Sequence, residues 1–119
     1  MLMFNKVETG IYGQNIAKKH LLDKGMSLLE ANFRSRQGEI DLIMQDGEYV
    51  VFVEVKYRRN LKYGLPREAV GTSKQKKILK AANYYIYLKA SEQNYRFDVV
   101  EILETKEGTY VNHIENAFW

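Results

Sequence analysis

The hydrophobic residues of this chain recur with two spacings, one typical of amphipathic helices and one typical of half-buried strands. Residues 9–24 predict a first helix, with Thr9 as its N-cap and Gly25 as its C-terminal stop. A second helix begins near Ser73, which we expect to be the N-cap of its main part. Its apolar face consists of residues at helical spacing: Ile78, Ala82, Tyr85 and Ile86.

Five runs rich in β-branched and aromatic residues predict strands, and turn residues separate them. The runs cover residues 26–34, 39–45, 48–57, 95–103 and 109–114. The order of elements is therefore αβββαββ, which predicts an α/β fold with a mixed β-sheet flanked by helices. Residues 1–119 contain no linker and no repeat, so we expect a single domain.

The dipeptide Asp46-Gly47 predicts a tight hairpin between the second and third strands. If these residues form the whole turn, Asp41 faces Phe52 across the ladder. Glu39 then faces Glu54, whereas a three-residue loop would shift this register. One face carries charged and apolar residues: Glu39, Asp41, Ile43, Val50, Phe52, Glu54 and Lys56. The other face is apolar throughout and is expected to be core: Ile40, Leu42, Met44, Tyr49, Val51, Val53 and Val55.

The predicted hairpin gathers acids and a lysine at one end of one face. Glu54 lies diagonal to Asp41, and Lys56 follows on the same side. Carboxylates this close repel each other, which raises the pKa of one of them, and a hard divalent cation relieves the repulsion. The alternative is a surface cluster of ion pairs, which would add little stability. Because carboxylates are unfavourable inside β-branched runs, we favour a metal site formed by Asp41 and Glu54.

Charge and composition narrow the class of protein and of partner. The 119 residues include no cysteine, which excludes disulfides and Cys-based zinc sites and favours a cytoplasmic protein. No apolar run approaches the roughly 20 residues of a membrane span, so we expect no membrane partner. Although the net charge is only +3, residues 56–80 contain nine Lys or Arg and one acid. This segment favours an anionic partner such as a phosphate backbone, and a solvated helix face is the alternative.

Two motifs resemble the signature of the PD-(D/E)xK nucleases, which have the restriction-endonuclease-like (tRNA endonuclease-like) fold. Asp41 matches the first acid, and Glu54-Val55-Lys56 matches the E-x-K motif. More closely, the chain resembles the YraN family of uncharacterised bacterial proteins, which are similar to archaeal Holliday junction resolvases. The matching stretches keep their order along the chain: residues 10–13, 32–34, 38–43, 51–58, 64–70, 96–100 and 113–118.

The resemblance implies a nuclease that uses Mg²⁺ or Mn²⁺ to hydrolyse phosphodiester bonds, with branched DNA as a candidate substrate. Asp41, Glu54 and Lys56 would be its catalytic residues. The two acids would bind the metal, and the Val55 carbonyl would be a third ligand. Lys56 would orient the attacking water or neutralise the charge that develops on the phosphate. Glu39 is a further candidate, because its carboxylate can hold a metal-bound water.

The start of the second helix is suited to the nucleic-acid backbone, because its free N–H groups and the helix dipole favour phosphate. Lys74 and Gln75 lie there, with Lys77 and Arg58 nearby, and solubility is the alternative role of the lysines. The resemblance to resolvases favours DNA as the partner. It also implies a homodimer, because a four-way junction needs two cuts.

One position differs from the family pattern. The family usually has Glu where this chain has Gln14, and in the resolvases an acid on that helix assists metal binding. Gln14 can be a further metal ligand through its carbonyl oxygen, but it contributes no charge. This difference favours one alternative, a nucleic-acid-binding module with the nuclease fold and little or no turnover. A second alternative is an accessory subunit whose partner supplies the substrate.

Overall fold

The computed structural model describes residues 6–59, 71–90 and 92–118, with side chains from residue 10 onward. Its elements are α1 (Lys6–Asp23), β1 (Ser27–Arg34), β2 (Glu39–Asp46), β3 (Tyr49–Arg58), α2 (Thr72–Lys89), β4 (Asn94–Thr105) and β5 (Gly108–Ile114). The predicted order αβββαββ and the α/β class are confirmed. Residues 64–70, which carry part of the family resemblance, lie outside the described residues.

The strands form one sheet in the order β1-β2-β3-β4-β5. Strands β3 and β4 are parallel and α2 is the crossover between them, whereas the other neighbours are antiparallel. A parallel pair needs a crossover of this kind, so the predicted helix between two strands already implied a mixed sheet. Within the described ranges, neither helix is long and apolar enough to cross a membrane.

The two helices cover opposite faces of the sheet, and each closes one half of the core. Under α1 lie the buried residues Ala17, Leu21, Met26, Leu42, Met44, Val51, Val53, Val100 and Ile102. Under α2 lie Phe33, Ile40, Ile43, Val50, Phe52, Ile78, Ala81, Ala82, Tyr85, Phe97, Val99 and Phe118. The predicted apolar face of α2 is confirmed. Tyr49, beside the hairpin turn, is exposed rather than part of the core.

The N-termini of the helices lie elsewhere than predicted. Helix α1 begins at Lys6, so Thr9 lies inside it and is not its cap. Helix α2 begins directly after Gly71, whose carbonyl accepts the first helical bond from Gln75. Ser73 is therefore also inside a helix, because the extended backbone of Gly71 already provides the N-cap. The predicted C-terminal stop at Gly25 is confirmed, with a φ of +97° that favours glycine.

The turn between β2 and β3 is displaced by one residue from its predicted position. Asp46 pairs with Tyr49, so Gly47 and Glu48 form the two-residue loop. Gly47 has a φ of +59°, a left-handed conformation that glycine adopts without strain. Asp46 belongs to the ladder, where its carboxylate accepts a 2.9 Å hydrogen bond from the buried Arg96 of β4. This long-range contact helps to fix the register, and no local pattern indicates it.

Moving the turn by one residue changes every partner across the hairpin by two positions. Ile43, rather than Asp41, faces Phe52, so the predicted register is wrong. The side chains of a strand alternate with a period of two, and the displaced register keeps them on their predicted faces. The hydrophobic pattern therefore satisfies both registers equally. Continuing the observed register places Asp41 opposite Glu54 rather than diagonal to it.

The ladder between β2 and β3 ends at Leu42 and Val53, and beyond this point β2 pairs with β1 alone. The prediction that Glu39 faces Glu54 of β3 is therefore wrong. Glu39 forms an ion pair with Arg34 of β1 instead, with 3.3 Å between Nε and Oε2. Ile40 packs on the α2 side rather than on its predicted face, because strict alternation holds only while the ladder is regular.

Helix α1 approaches β3 most closely at Gly13. A Cβ atom at this position would lie 2.9 Å from Cβ of Tyr57, which is closer than real Cβ atoms come. We therefore expect Gly13→Ala to lower the free energy of unfolding by about 1–3 kcal/mol, because α1 must move away from the sheet. Urea denaturation measures the change.

Gly10→Ala is the matched control, because Gly10 lies in the same helix and a Cβ atom there meets nothing within 4 Å. This variant should be as stable as the wild type, or more stable by up to about 1 kcal/mol, because alanine favours helix. Equal stabilities for the two variants would contradict the close packing of α1 on β3.

Candidate functional site

The site is built around a carboxylate buried in the middle of the sheet. Glu54 lies on the central strand β3 and is only 3% exposed. A buried carboxylate is unfavourable unless it is paired with a positive charge, and two lysines supply that charge to Glu54. Lys74 of α2 contacts Oε1 of Glu54 at 2.6 Å, and Lys56 of β3 contacts the same oxygen at 3.6 Å. The predicted group of Glu54 and Lys56 is thus brought together, with Lys74 as its third member.

Asp41 lies beside this group, where β2 leaves the regular ladder. Its Oδ2 accepts a 2.8 Å hydrogen bond from the backbone N–H of Val55, so the side chain replaces a carbonyl of the ladder. Burial and then the charge of Glu54 raise the pKa of Asp41 to about 6, although Val55 and Lys74 oppose the rise. The like-charge repulsion expected between the two acids is therefore present in the structure.

The pKa values of the two lysines are shifted in opposite directions. Burial, followed by the neighbouring Lys74 side chain, lowers the pKa of Lys56, and the charge of Glu54 opposes the change. Burial also acts to lower the pKa of Lys74, but its hydrogen bond to Glu54 and the charge of that carboxylate outweigh burial and raise it. Lys74 is therefore the stable cation of the pair, and Lys56 is the amine that gives up a proton more readily.

Gln14 of helix α1 holds the backbone of the site through hydrogen bonds of its side-chain amide. The side-chain N–H of Gln14 donates to the Asp41 carbonyl at 3.2 Å and to Oδ1 of Asn32 at 2.8 Å. In return, Asn32 donates to the side-chain carbonyl of Gln14 at 3.1 Å. Gln14 thus lies next to Asp41, but its candidate metal-binding oxygen already accepts a hydrogen bond. Its observed contacts position the end of β2.

The donor set fits a hard cation with few protein ligands. Among the described residues, no group of three or more His, Cys, Asp or Glu side chains converges. Mg²⁺ needs only one or two carboxylates, because waters and substrate phosphate oxygens complete its octahedron. Asp41 and Glu54 provide two carboxylates whose mutual repulsion a cation would relieve. Lys74 occupies Glu54 at 2.6 Å, so a cation would have to displace its ammonium group.

The remaining predicted residues lie around this centre. A pocket of about 470 Å³ opens between the β1–β2 turn and the first turns of α2, and Glu39, Lys74 and Lys77 line it. Gln75 makes the first backbone bond of α2. Arg58 lies at the end of β3, where its guanidinium donates to a backbone carbonyl at 3.3 Å. The predicted nucleic-acid residues therefore lie on the α2 side of the sheet end or at the end of β3.

Sequence reasoning missed two parts of the site. It assigned Lys74 only to the phosphate backbone, because the sequence does not show how α2 lies against β3. It also missed Asn32, which has a φ of +54° and holds Gln14. Asparagine is rare in strands and tolerates this conformation, so its presence in a β-rich run was the available signal.

Comparison with known proteins identifies relatives over nearly the whole chain. A sequence model of the "Uncharacterised protein family UPF0102" matches residues 13–102, which confirms the resemblance to the YraN family. A UPF0102 protein of Clostridium novyi is 44% identical over 121 residues, covering 99% of this chain and 100% of the relative. Relatives from Syntrophus aciditrophicus and Clostridioides difficile are each 44% identical over 98% and 96% of this chain, and 92% and 99% of their own lengths.

The raised pKa of Asp41 predicts a pH-dependent cost to stability in the absence of metal. Its folded value of about 6 lies above the value of about 3.9 in unfolded chains, so the folded protein holds the extra proton between these pH values. Stability is therefore lost as the pH rises through this window. With EDTA present, Asp41→Asn should be more stable than wild type by about 1–3 kcal/mol near pH 8 and nearly equal near pH 4.

Asp23→Asn is the control for this measurement, because the Asp23 side chain is 65% exposed at the end of α1. Its stability should stay within about 0.5 kcal/mol of wild type at both pH values in urea denaturation. An Asp41→Asn variant that is less stable near pH 8, or differs equally at both pH values, would contradict the raised pKa that burial and the charge of Glu54 give to Asp41.

Proposed function

This chain belongs to the uncharacterised protein family UPF0102, and we propose that it is a metal-dependent nuclease. One observation carries the proposal: two carboxylates, Asp41 and Glu54, lie beside each other where the β2–β3 ladder ends, and the Lys56 amine contacts Glu54. The order αβββαββ, with this group on neighbouring strands, supports a restriction-endonuclease-like fold. The chemistry of the group suits hydrolysis of a phosphodiester bond.

In this proposal Asp41 and Glu54 would hold Mg²⁺ or Mn²⁺, with the Val55 carbonyl as the third ligand. When bound, the cation would polarise the phosphate and lower the pKa of the attacking water. The N–H of Val55 keeps the Asp41 carboxylate in place through its 2.8 Å hydrogen bond. From the other face of the sheet, Gln14 holds the Asp41 carbonyl. These contacts orient the ligands before substrate arrives.

Lys56 and Lys74 have different roles. Burial lowers the pKa of Lys56, and this shift favours a role for its amine either in accepting the proton of the attacking water or in stabilising the charge that develops on phosphate. If Lys74 is displaced from Glu54, its ammonium group can bind the neighbouring phosphate. The first turn of α2 carries no acid and no side-chain cap, so its N–H groups and Lys77 favour the same backbone. Arg58 and Gln75 would contact the flanking phosphates.

A nucleic-acid-binding protein without turnover is the second candidate, and the contacts of Glu54 favour it. Two lysines already neutralise this carboxylate, and the carbonyl of Gln14 is engaged by Asn32. A site of this kind can bind phosphate through Lys74 without taking up a metal. Binding that weakens with salt, without metal-dependent cleavage, would identify this candidate. DNA as the partner, a homodimer and a cytoplasmic location remain predictions in either case.

Cleavage assays with Mg²⁺ or Mn²⁺ test the nuclease directly, on branched, flapped and single-stranded DNA and on RNA. Lys56→Ala should lower the single-turnover rate by about 10²- to 10⁴-fold, because the variant loses a positioned proton acceptor. Lys106→Ala is the control, since Lys106 lies in the exposed β4–β5 turn. Equal rates for wild type and Lys56→Ala would show that any cleavage does not depend on this site and would refute the proposed nuclease activity.

A further inference from the structure

A second pocket lies further along α2 from the candidate site. Its volume is about 570 Å³, and six residues line it: Arg34, Ser35, Arg36, Gln37, Lys80 and Tyr84. Three of these side chains are cationic and none is acidic, and Arg34 is paired with Glu39 just outside the pocket, which leaves Arg36 and Lys80 as its main cations. An anionic ligand is therefore favoured, and the single aromatic ring offers it a flat apolar contact.

The ring of Tyr84 is held in place and is partly open to solvent. Its centroid lies 6.1 Å from that of the buried Phe33, with 34° between the ring planes, and Tyr84 is 46% exposed. Phe33 in turn packs edge-on against Tyr85, at 5.2 Å between centroids. A ring supported in this way loses little entropy when a flat ligand stacks on it. Nucleobases are the flat ligands that accompany phosphate.

The β1–β2 turn borders both the second pocket and the pocket of the candidate site. Gly38 of this turn lines the first pocket, and a Cβ atom there would lie 2.5 Å from the carbonyl oxygen of Lys77, so the turn rests directly on α2. Lys74 and Lys77 line the first pocket, and Lys80 and Tyr84 line the second. From Lys74 to Tyr84 the helix rises by about 15 Å, so a segment of a few nucleotides would reach from one pocket to the other.

We propose that the second pocket binds one base and the adjacent phosphates of a single-stranded segment of nucleic acid, whose cleaved phosphate lies at Asp41 and Glu54. Tyr84 stacks on the base, and Arg34, Arg36 and Lys80 hold the phosphates. The strand is single because a base inside a duplex has both faces covered by its neighbours. The inference deepens the proposed function and rests on its assignment of nucleic acid as substrate.

The test measures binding of a fluorescein-labelled oligothymidylate of about 12 nucleotides by anisotropy, in EDTA so that no cleavage occurs. Tyr84→Ala should weaken binding at least about ten-fold, whereas Tyr84→Phe keeps the stacking ring and should stay within about two-fold of wild type. Tyr87→Ala is the matched control, because Tyr87 is 79% exposed on the same helix and does not line the pocket. It should also bind as wild type does.

The salt dependence of oligothymidylate binding is a second readout, which stays informative even if Tyr84→Ala disturbs the packing around the ring. Lys80→Gln should reduce the slope of log K against log salt by about 0.7, the value for one phosphate contact on a single strand. Lys106→Gln, in the β4–β5 turn, should leave the slope unchanged. An unchanged slope for Lys80→Gln would overturn the phosphate part of the proposal.

The outcomes separate this inference from the nuclease itself. Wild-type binding that Tyr84→Ala leaves unchanged, or equal affinity for a duplex of the same length, overturns the second pocket even if Mg²⁺-dependent cleavage is found. Binding that depends on Tyr84 and Lys80 supports the pocket even if wild type cleaves nothing, in which case only the catalytic proposal fails. No binding of the oligothymidylate by wild type overturns the pocket, and the cleavage assay then decides the function.

Discussion

The ion pair between Glu54 and Lys74 is the contact on which the site depends. A carboxylate that is 3% exposed on the central strand is unfavourable without a partner, and Lys74 contacts it at 2.6 Å. The same contact attaches the start of α2 to the middle of the sheet. Apolar packing places α2 on the sheet, and this ion pair holds its first turn, which has no side-chain cap, beside the acid. The basic surface and the buried acid are thus held next to each other.

The second acid is held by backbone rather than by counter-charge. Asp41 takes a place in the ladder by accepting the N–H of Val55, and Gln14 reaches its carbonyl from the opposite face. Both contacts keep Asp41 near Glu54 although the acids repel, and burial together with the charge of Glu54 raises the pKa of Asp41. A divalent cation, if it binds here, would relieve the repulsion between the two acids and displace the ammonium group of Lys74.

The sequence was sufficient for the order of elements, the two core faces and the gathering of Asp41, Glu54 and Lys56, because all three follow from local periodicity. It was insufficient for the hairpin register, since displacement by one residue leaves every side chain on its face, and the contact of Arg96 with Asp46 comes from a distant strand. The partner of Glu54 was missed for a similar reason. How α2 lies on the sheet is set by packing, which no spacing within the helix reveals.

The position of a bound metal distinguishes a metal site at the two acids from a site that binds phosphate alone. A crystal of the protein soaked in Mn²⁺ near pH 8 and measured at the manganese absorption edge would show the ion by its anomalous signal. We expect one peak within about 2.0–2.4 Å of carboxylate oxygens of both Asp41 and Glu54, with the Lys74 ammonium moved away from Glu54. A well-ordered site with no peak, and Lys74 still on Glu54 at saturating Mn²⁺, would contradict a metal site at the two acids.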